Sequence, residues 1–323
     1  MGGKAKETGD GSCVTEAPLL YGNSEEHTST AGKLNTILEW LNAWKCRDIH
    51  ERTTHLRQPD TCTWLPNTKM YQAWRNGGNS FLWLNGKGRG FEFFNHLVLI
   101  WRCHVFSRSR KVRPSVRVCV LSPTDIDLGY SASVIEGLES ALQDGETLVF
   151  FYCDFRNERS TSASKLMRSL LSQLLQQLDR HMVDPGGMVD ELIKQRDEGA
   201  STISNATLLA RHISCTAKQS IQRPFVVIDA LDECKDIEEL LDALTELHKG
   251  GVRLFVTSRP LQVIKDSFSG LPSISMDAMK YAVSTDINLH VTRELDSHRR
   301  LRIVDATLKK EINSVLCKKA DGM

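Results

Sequence analysis

Residues 225–233 read Phe225-Val-Val-Ile-Asp-Ala-Leu-Asp-Glu233, and residues 254–260 read Leu254-Phe-Val-Thr-Ser-Arg-Pro260. Each stretch is a short apolar run, with the length of a buried parallel strand, that stops abruptly in polar or charged residues. The pair therefore predicts two neighbouring strands of a parallel sheet, each delivering chemically active side chains at its carboxyl end.

The acids of the first stretch suit a magnesium site. Magnesium takes one or two carboxylates and keeps several waters, so Asp229 is the predicted metal ligand. Asp232 and Glu233 follow it and can orient or polarise an attacking water. The alternative interpretation is an acidic turn after a core strand, and the motif alone does not exclude it.

The second stretch presents a hydroxyl pair and a guanidinium. Thr257 and Ser258 are candidate cofactor-binding groups, and Arg259 can reach a terminal phosphate and register its presence. The alternative is an arginine that pairs with a local carboxylate. Considered beside the Asp229 strand, the functional interpretation gains weight.

Composition excludes several classes of protein. The chain has 323 residues, with 41 Lys+Arg against 40 Asp+Glu, so its charge indicates neither a nucleic-acid nor a membrane partner. A basic run between Arg102 and Arg117 contains Phe106 but no regular interleaving of aromatic residues, and we expect no nucleic-acid binding from it. Nine scattered cysteines without a Cys-x-x-Cys pair suit reduced thiols. With no secretory signal or apolar span, we expect a cytoplasmic protein.

Periodicity divides the chain into four parts. We predict a disordered tail over 1–30, a helical Trp-rich lead-in over 31–79, an α/β domain over 80–270, and the start of a helical lid, truncated, over 271–323. Within the α/β domain, strands alternate with amphipathic helices, which predicts a parallel sheet covered by helices on both faces. Residues 88–130 fit no element, and we expect them to be a poorly ordered insert before a helix that starts at Ser131.

The phosphate-binding loop expected of such a domain is disrupted. The pattern Gly-x-x-x-x-Gly-Lys-Ser/Thr lets backbone N–H groups and a lysine bind phosphate. If Gly86 opens this pattern, its last three positions fall on Phe91, Glu92 and Phe93. Gly86 and Lys87 remain the candidate phosphate ligands, although Lys87 is only a superficial match.

Taken together, these motifs resemble the NACHT-type P-loop NTPase domain of fungal STAND proteins, the nephrocystin 3-like N-terminal module. The resemblance covers roughly residues 34–87 and 131–323. The stretches that carry it are Ile37-Leu-Glu-Trp-Leu41, Thr63-Trp-Leu65, Phe81-Leu-Trp-Leu-Asn-Gly-Lys87, Ser133-Val-Ile-Glu136, Phe151-Tyr-Cys-Asp-Phe155, Val227-Ile-Asp-Ala-Leu-Asp-Glu-Cys234, Val256-Thr-Ser-Arg-Pro260 and Lys319-Ala-Asp-Gly-Met323.

The resemblance implies a switch that binds ATP or GTP with magnesium and self-associates in self/non-self recognition or cell-death signalling. It makes Asp229 the magnesium-side aspartate, Glu233 with Asp232 the water-positioning acids, and Arg259 the sensor arginine. Two departures are the segment 88–130 in place of the Gly-Lys-Ser loop and a chain end where relatives continue. Three hypotheses therefore stay open: an NTPase switch, a catalytically dead pseudo-NTPase that acts as an interaction module, and a fragment or mis-spliced product in which 88–130 is translated intron.

Overall fold

The computed structural model of the chain describes residues 24–86, 124–158, 160–180, 187–199, 202–219, 224–297 and 305–321. Its strands are β1 (Phe81–Asn85), β2 (Leu148–Tyr152), β3 (Phe225–Asp229), β4 (Arg253–Ser258) and β5 (Ser273–Ser275). Its helices are α1 (Ser24–Leu41), α2 (Arg47–Leu56), α3 (Lys69–Arg75), α4 (Thr124–Glu139), α5 (Ala163–Arg180), α6 (Met188–Asp197), α7 (Ala206–Gln219), α8 (Ile237–Lys249), α9 (Gln262–Ser267), α10 (Lys280–Ser297) and α11 (Ala306–Asp321). Single 3-10 turns span Leu65–Asn67 and Leu231–Glu233.

The five strands form one sheet in the order β2-β3-β4-β1-β5, and every recorded pair is parallel. All five residues of β3 are buried, because helices cover both faces of the sheet and leave no solvent side for polar side chains. The predicted α/β class, a parallel sheet covered by helices, is confirmed.

The covering helices bury one leucine-rich face each. In α8 these are Leu240, Leu241, Leu244 and Leu247, and α5 presents a similar leucine row to the sheet. The lead-in contributes Trp74, which is fully buried with its ring 5.4 Å from that of Phe225. The Trp-rich segment therefore packs as part of the main core.

Two boundaries differ from the sequence-based expectation. The helix predicted to start at Ser131 begins at Thr124, so the last seven residues of the predicted insert 88–130 are helical. Likewise α1 begins at Ser24, inside the predicted disordered tail. The buried face of α4 includes Tyr130, and the polar composition before it hid the helix start. The rest of the expected insert, up to residue 123, lies outside the described residues.

The amino end of the sheet is held by one buried glutamate. Glu146, just before β2, accepts hydrogen bonds from Arg75 at the end of α3 and from Arg253 at the start of β4, at 3.1 and 3.0 Å. Both guanidinium groups also lie against the Phe225 ring. Burial by itself raises the pKa of Glu146. The hydrogen bonds from the Gln143 backbone N–H and from the two arginines lower it by more, so the pKa lies below its usual range.

Within the described ranges, no helix combines the length and the apolar character needed to cross a membrane.

Candidate functional site

A cavity of about 320 Å³ opens at the carboxyl edge of the sheet. The cavity lies between the carboxyl ends of β1, β2, β3 and β4. Its walls are formed by α2, α4 and the segment after β5. Its lining includes all of the described site residues that the sequence predicted, namely Gly86, Asp229, Asp232, Glu233, Thr257, Ser258 and Arg259.

Asp229 is the last residue of β3, and only 1% of its surface is exposed. One of its oxygens, Oδ1, accepts hydrogen bonds from the Ser131 hydroxyl of α4 and from the Thr257 hydroxyl of β4, the latter at 2.7 Å. Thr257 Oγ1 in turn accepts from the Ala230 backbone N–H at 2.9 Å. Two hydroxyls from separate elements therefore fix the orientation of this carboxylate.

The turn after Asp229 is set by Ala230, which adopts the left-handed conformation with φ 53° and ψ 48°. A non-glycine residue in this region costs about 1 kcal/mol or more, and such positions concentrate at functional sites. The reversal starts the 3-10 turn that places Asp232 and Glu233 beside the cavity instead of continuing the strand.

Glu233 lies in a half-buried, acid-rich position. Its Oε2 accepts a hydrogen bond from the Phe155 backbone N–H at 3.0 Å. Burial raises the pKa of Glu233, and the carboxylates of Asp232 and Asp154 raise it further, against the lowering effects of the Phe155 hydrogen bond and Arg259. A carboxylate with a raised pKa is a better proton acceptor near neutral pH, so the environment suits a general base.

Asp232, which the sequence suggested as an acid that positions water, binds Arg259 in the structure. Its two oxygens accept from the backbone N–H of Arg259 at 2.8 Å and from Arg259 Nε at 2.5 Å. The Asp232 side chain is 4% exposed and that of Arg259 is 55% exposed. In the structure, Arg259 therefore pairs with a local carboxylate, as the alternative interpretation of the sequence had it.

Ser258, Gly86 and Lys87 complete the predicted set. The Ser258 hydroxyl accepts from Trp83 Nε1 at 2.8 Å, so it braces β1 against β4. Gly86 lies so close to Met276 that a Cβ atom would stand 3.1 Å from its side chain, and a larger residue would crowd the cavity mouth. Lys87 lies outside the described residues.

Sequence reasoning missed Tyr130, which lines the cavity, and Ser131, which is buried behind the cavity and donates to the Asp229 carboxylate. The signal was the triplet Gly129-Tyr130-Ser131, which matches the end of the phosphate-loop pattern with tyrosine in the lysine position. Because the first position of that pattern would be Thr124, a search that began from a glycine could not find it.

The donor set fits magnesium better than a transition metal. Across the part of the chain that the structure describes, no group of three His, Cys, Asp or Glu side chains could hold a metal. Magnesium needs fewer protein ligands and takes the rest of its shell from water and phosphate. One oriented, buried carboxylate with two adjacent hydroxyls at a cavity meets that need.

The described cavity carries more acid than base. Its lining has four carboxylates, those of Asp154, Asp229, Asp232 and Glu233, and the two guanidinium groups of Arg156 and Arg259. Arg156 pairs with Asp154 at 2.9 Å, as Arg259 does with Asp232. An anionic ligand would therefore need an accompanying cation, or a rearrangement of these two pairs.

Comparison with known proteins gives two matches. The family described as nephrocystin 3, N-terminal, matches residues 130–259, a range that contains Ser131, Asp229, Glu233 and Arg259. The vegetative incompatibility protein HET-E-1 of Podospora anserina is 22% identical over an alignment of 324 residues, which covers 94% of this chain and 21% of the relative. The chain thus spans about a fifth of that relative's length. No solved structure matches. The two matches confirm the resemblance to NACHT-type domains that the motifs predicted.

Proposed function

We propose that this chain acts as a NACHT-type nucleotide-dependent signalling switch, with the cavity at the carboxyl edge of the sheet as its nucleotide site. The observation that supports the proposal most is the buried Asp229 carboxylate, fixed by the hydroxyls of Ser131 and Thr257. A site built in this way holds a hydrated divalent cation rigidly, and such a cation is what accompanies nucleotide phosphates.

Three of the cavity residues have distinct roles under this proposal. Asp229 holds the magnesium of an ATP or GTP complex, with magnesium supplying neutralisation of phosphate charge. Glu233 accepts a proton from water, in keeping with its raised pKa. Arg259 contacts the terminal phosphate after it leaves Asp232. The name of the relative, a vegetative incompatibility protein, supports self/non-self recognition as the process served, through nucleotide-controlled self-association in the cytoplasm.

A second candidate is a pseudo-NTPase that works as an interaction module without nucleotide. Tyr130 in the lysine position and the excess of carboxylates in the described cavity favour it. Under this candidate the same fold associates with partners, and the acids contribute to stability and charge instead of to chemistry.

Turnover and association separate the two candidates. The wild-type chain, Glu233→Gln and the exposed control Glu238→Gln are incubated with Mg-ATP or Mg-GTP, and phosphate release and molar mass are measured. The switch predicts nucleotide-dependent association and turnover that falls about 100-fold in Glu233→Gln, with Glu238→Gln unchanged. Association that is identical with and without nucleotide, with no phosphate release, would establish the pseudo-NTPase.

A further inference from the structure

Asp286, on α10, is a point of contact between three segments of the chain. Its Oδ2 accepts hydrogen bonds from the Cys62 backbone N–H at 3.0 Å, from Trp64 Nε1 at 3.0 Å and from the Tyr130 hydroxyl at 3.3 Å. These three donors are neutral, so dipoles rather than a cation face this oxygen. Burial raises the pKa of Asp286 against the lowering effect of the three hydrogen bonds.

Tyr130 connects this contact to the cavity. It lines the cavity, its ring packs edge-on against Trp64 at 5.8 Å between centroids, and its hydroxyl reaches Asp286. Its neighbour along α4, Ser131, donates to Asp229. Successive residues of α4 therefore contact α10 on one side and the cavity carboxylate on the other.

The helices α10 and α11 form a pair that is only partly joined to the body. Val291 and Leu295 of α10 are buried, yet they do not belong to the continuous core cluster of the sheet. The pair is bound internally by Lys309 with Asp296 and by Asn313 with Asn288.

Polar contacts then join this pair to the lead-in. One is the Asp286 cluster, and another is Arg293, which donates to Asp60 at 2.8 Å and to the Pro59 carbonyl. The Arg293–Asp60 contact is partly to largely exposed, with side chains 34% and 75% accessible. One helix thus has a half-buried contact that touches a cavity residue and a more exposed contact that does not.

We propose that Asp286 is a positioning residue that couples the cavity to the docking of the α10–α11 pair, through Tyr130 and α4. This inference rests on the proposed function, in which magnesium-nucleotide binds beside Asp229. A ligand that engages the Asp229–Ser131 contact shifts α4, and the Tyr130 contact with Asp286 is the longest of the three, so it is lost first. The helix pair then loosens.

Hydrogen exchange of residues 280–297 tests the coupling, measured with and without saturating Mg-ATP. In the wild-type chain we expect exchange to become at least twofold faster with nucleotide. Tyr130→Phe, which removes one hydroxyl and keeps the ring, and Asp286→Asn should abolish this response. Arg293→Gln, the matched control on the exposed contact, should retain it. An unchanged response in both Tyr130→Phe and Asp286→Asn would overturn the proposal, as would loss of the response in Arg293→Gln.

Ser131→Ala keeps the test independent of nucleotide binding. This variant disturbs the cavity side of α4 without any ligand, so it should also accelerate exchange of 280–297, and addition of Tyr130→Phe should add no further effect. If the wild-type chain binds no nucleotide but Ser131→Ala accelerates this exchange, the proposed function fails and the coupling holds. If nucleotide binds and neither perturbation changes the exchange, the coupling fails and the function holds.

Discussion

Asp229 and Asp232 lie three residues apart, yet their surroundings assign them different work. Asp229 is oriented by two hydroxyls, which leave it suited to a cation. Asp232 binds the backbone and side chain of Arg259, so it fixes the position of one of the two guanidinium groups that line the described cavity. The roles of two similar acids that follow one strand can therefore be assigned only when the positions of the neighbouring side chains are known.

Replacement of Asp232 by asparagine tests this division. Asp232→Asn removes a negative charge from the cavity and weakens the hold on Arg259, so we expect Mg-ATP affinity to rise about fivefold, or about 1 kcal/mol. Fluorescence titration with a labelled nucleotide measures it, with the exposed Asp236→Asn as control. A loss of affinity as large as that of an Asp229 variant would show that Asp232 is itself a ligand.

Glu233→Gln should stabilise the fold in a pH-dependent way. Burial and the carboxylates of Asp232 and Asp154 raise the pKa of Glu233 in the folded chain. Its ionised form is therefore less favourable in the folded chain than in the unfolded chain, where the pKa of glutamate is about 4.3. The resulting loss in the free energy of unfolding is complete above the raised pKa of the folded chain and vanishes below the pKa of the unfolded chain.

We therefore expect thermal unfolding, followed by circular dichroism, to show Tm higher by about 1–3 °C at pH 7.5 in Glu233→Gln. The gain should disappear near pH 4. Glu238→Gln, exposed on α8, should show no such trend. A lower Tm at pH 7.5, or a gain that persists at pH 4, contradicts the assigned environment.

Among the elements, Glu146 joins α3, β2 and β4 at the amino edge of the sheet. Glu146→Gln removes the charge that faces two largely buried arginines, and loss of one partner of a buried ion pair is costly. We expect a fall in the free energy of unfolding of about 2–4 kcal/mol by urea titration. Asp190→Asn, which breaks the exposed Lys33–Asp190 pair, should cost under about 1 kcal/mol.

The loss has a definite pH window. The pKa of Glu146 is lower in the folded chain, so its contribution is present above the unfolded glutamate pKa and is lost as the pH falls through the lowered folded value. The difference between wild type and Glu146→Gln should therefore shrink in acid. A difference that is constant with pH would mean that packing, not charge, is responsible.

The elements also show how far sequence reasoning reaches. Strands β3 and β4 were predictable because uninterrupted apolar runs end in charged groups, and both lie where the pattern placed them. Strand β5 has three residues with only one buried, and α9 has six residues. Both are too short for an apolar periodicity to be detected in the sequence.

The candidate site was predictable to the same extent. Asp229 ends β3, Glu233 ends the 3-10 turn that follows it, and Thr257 is the second-last residue of β4. Apolar runs that stop in polar residues were enough to select all three as candidates. Ser131 lies 98 positions before its partner Asp229, and Asp286 is 224 positions from Cys62. Contacts of this kind depend on how the sheet and helices pack, which apolar periodicity does not encode.

For the molecule as a whole, one continuous core joins the Trp-rich lead-in to the α/β sheet, with the α10–α11 pair at its margin. The cavity is lined by the lead-in through Ile49, by the sheet through Asp229 and by α4 through Tyr130, so a ligand bound there would contact all three. A ligand at 100 times its Kd should raise the free energy of unfolding by about 2.7 kcal/mol.

The most direct measurement is calorimetric titration of the chain with Mg-ATP and Mg-GTP, in the wild type, in Asp229→Asn and in the exposed control Asp236→Asn. We predict saturable, magnesium-dependent binding to the wild type and the control, weakened about 10- to 100-fold in Asp229→Asn. Equal affinity in all three chains, or no binding to the wild type, would contradict the assignment of this cavity as a nucleotide site.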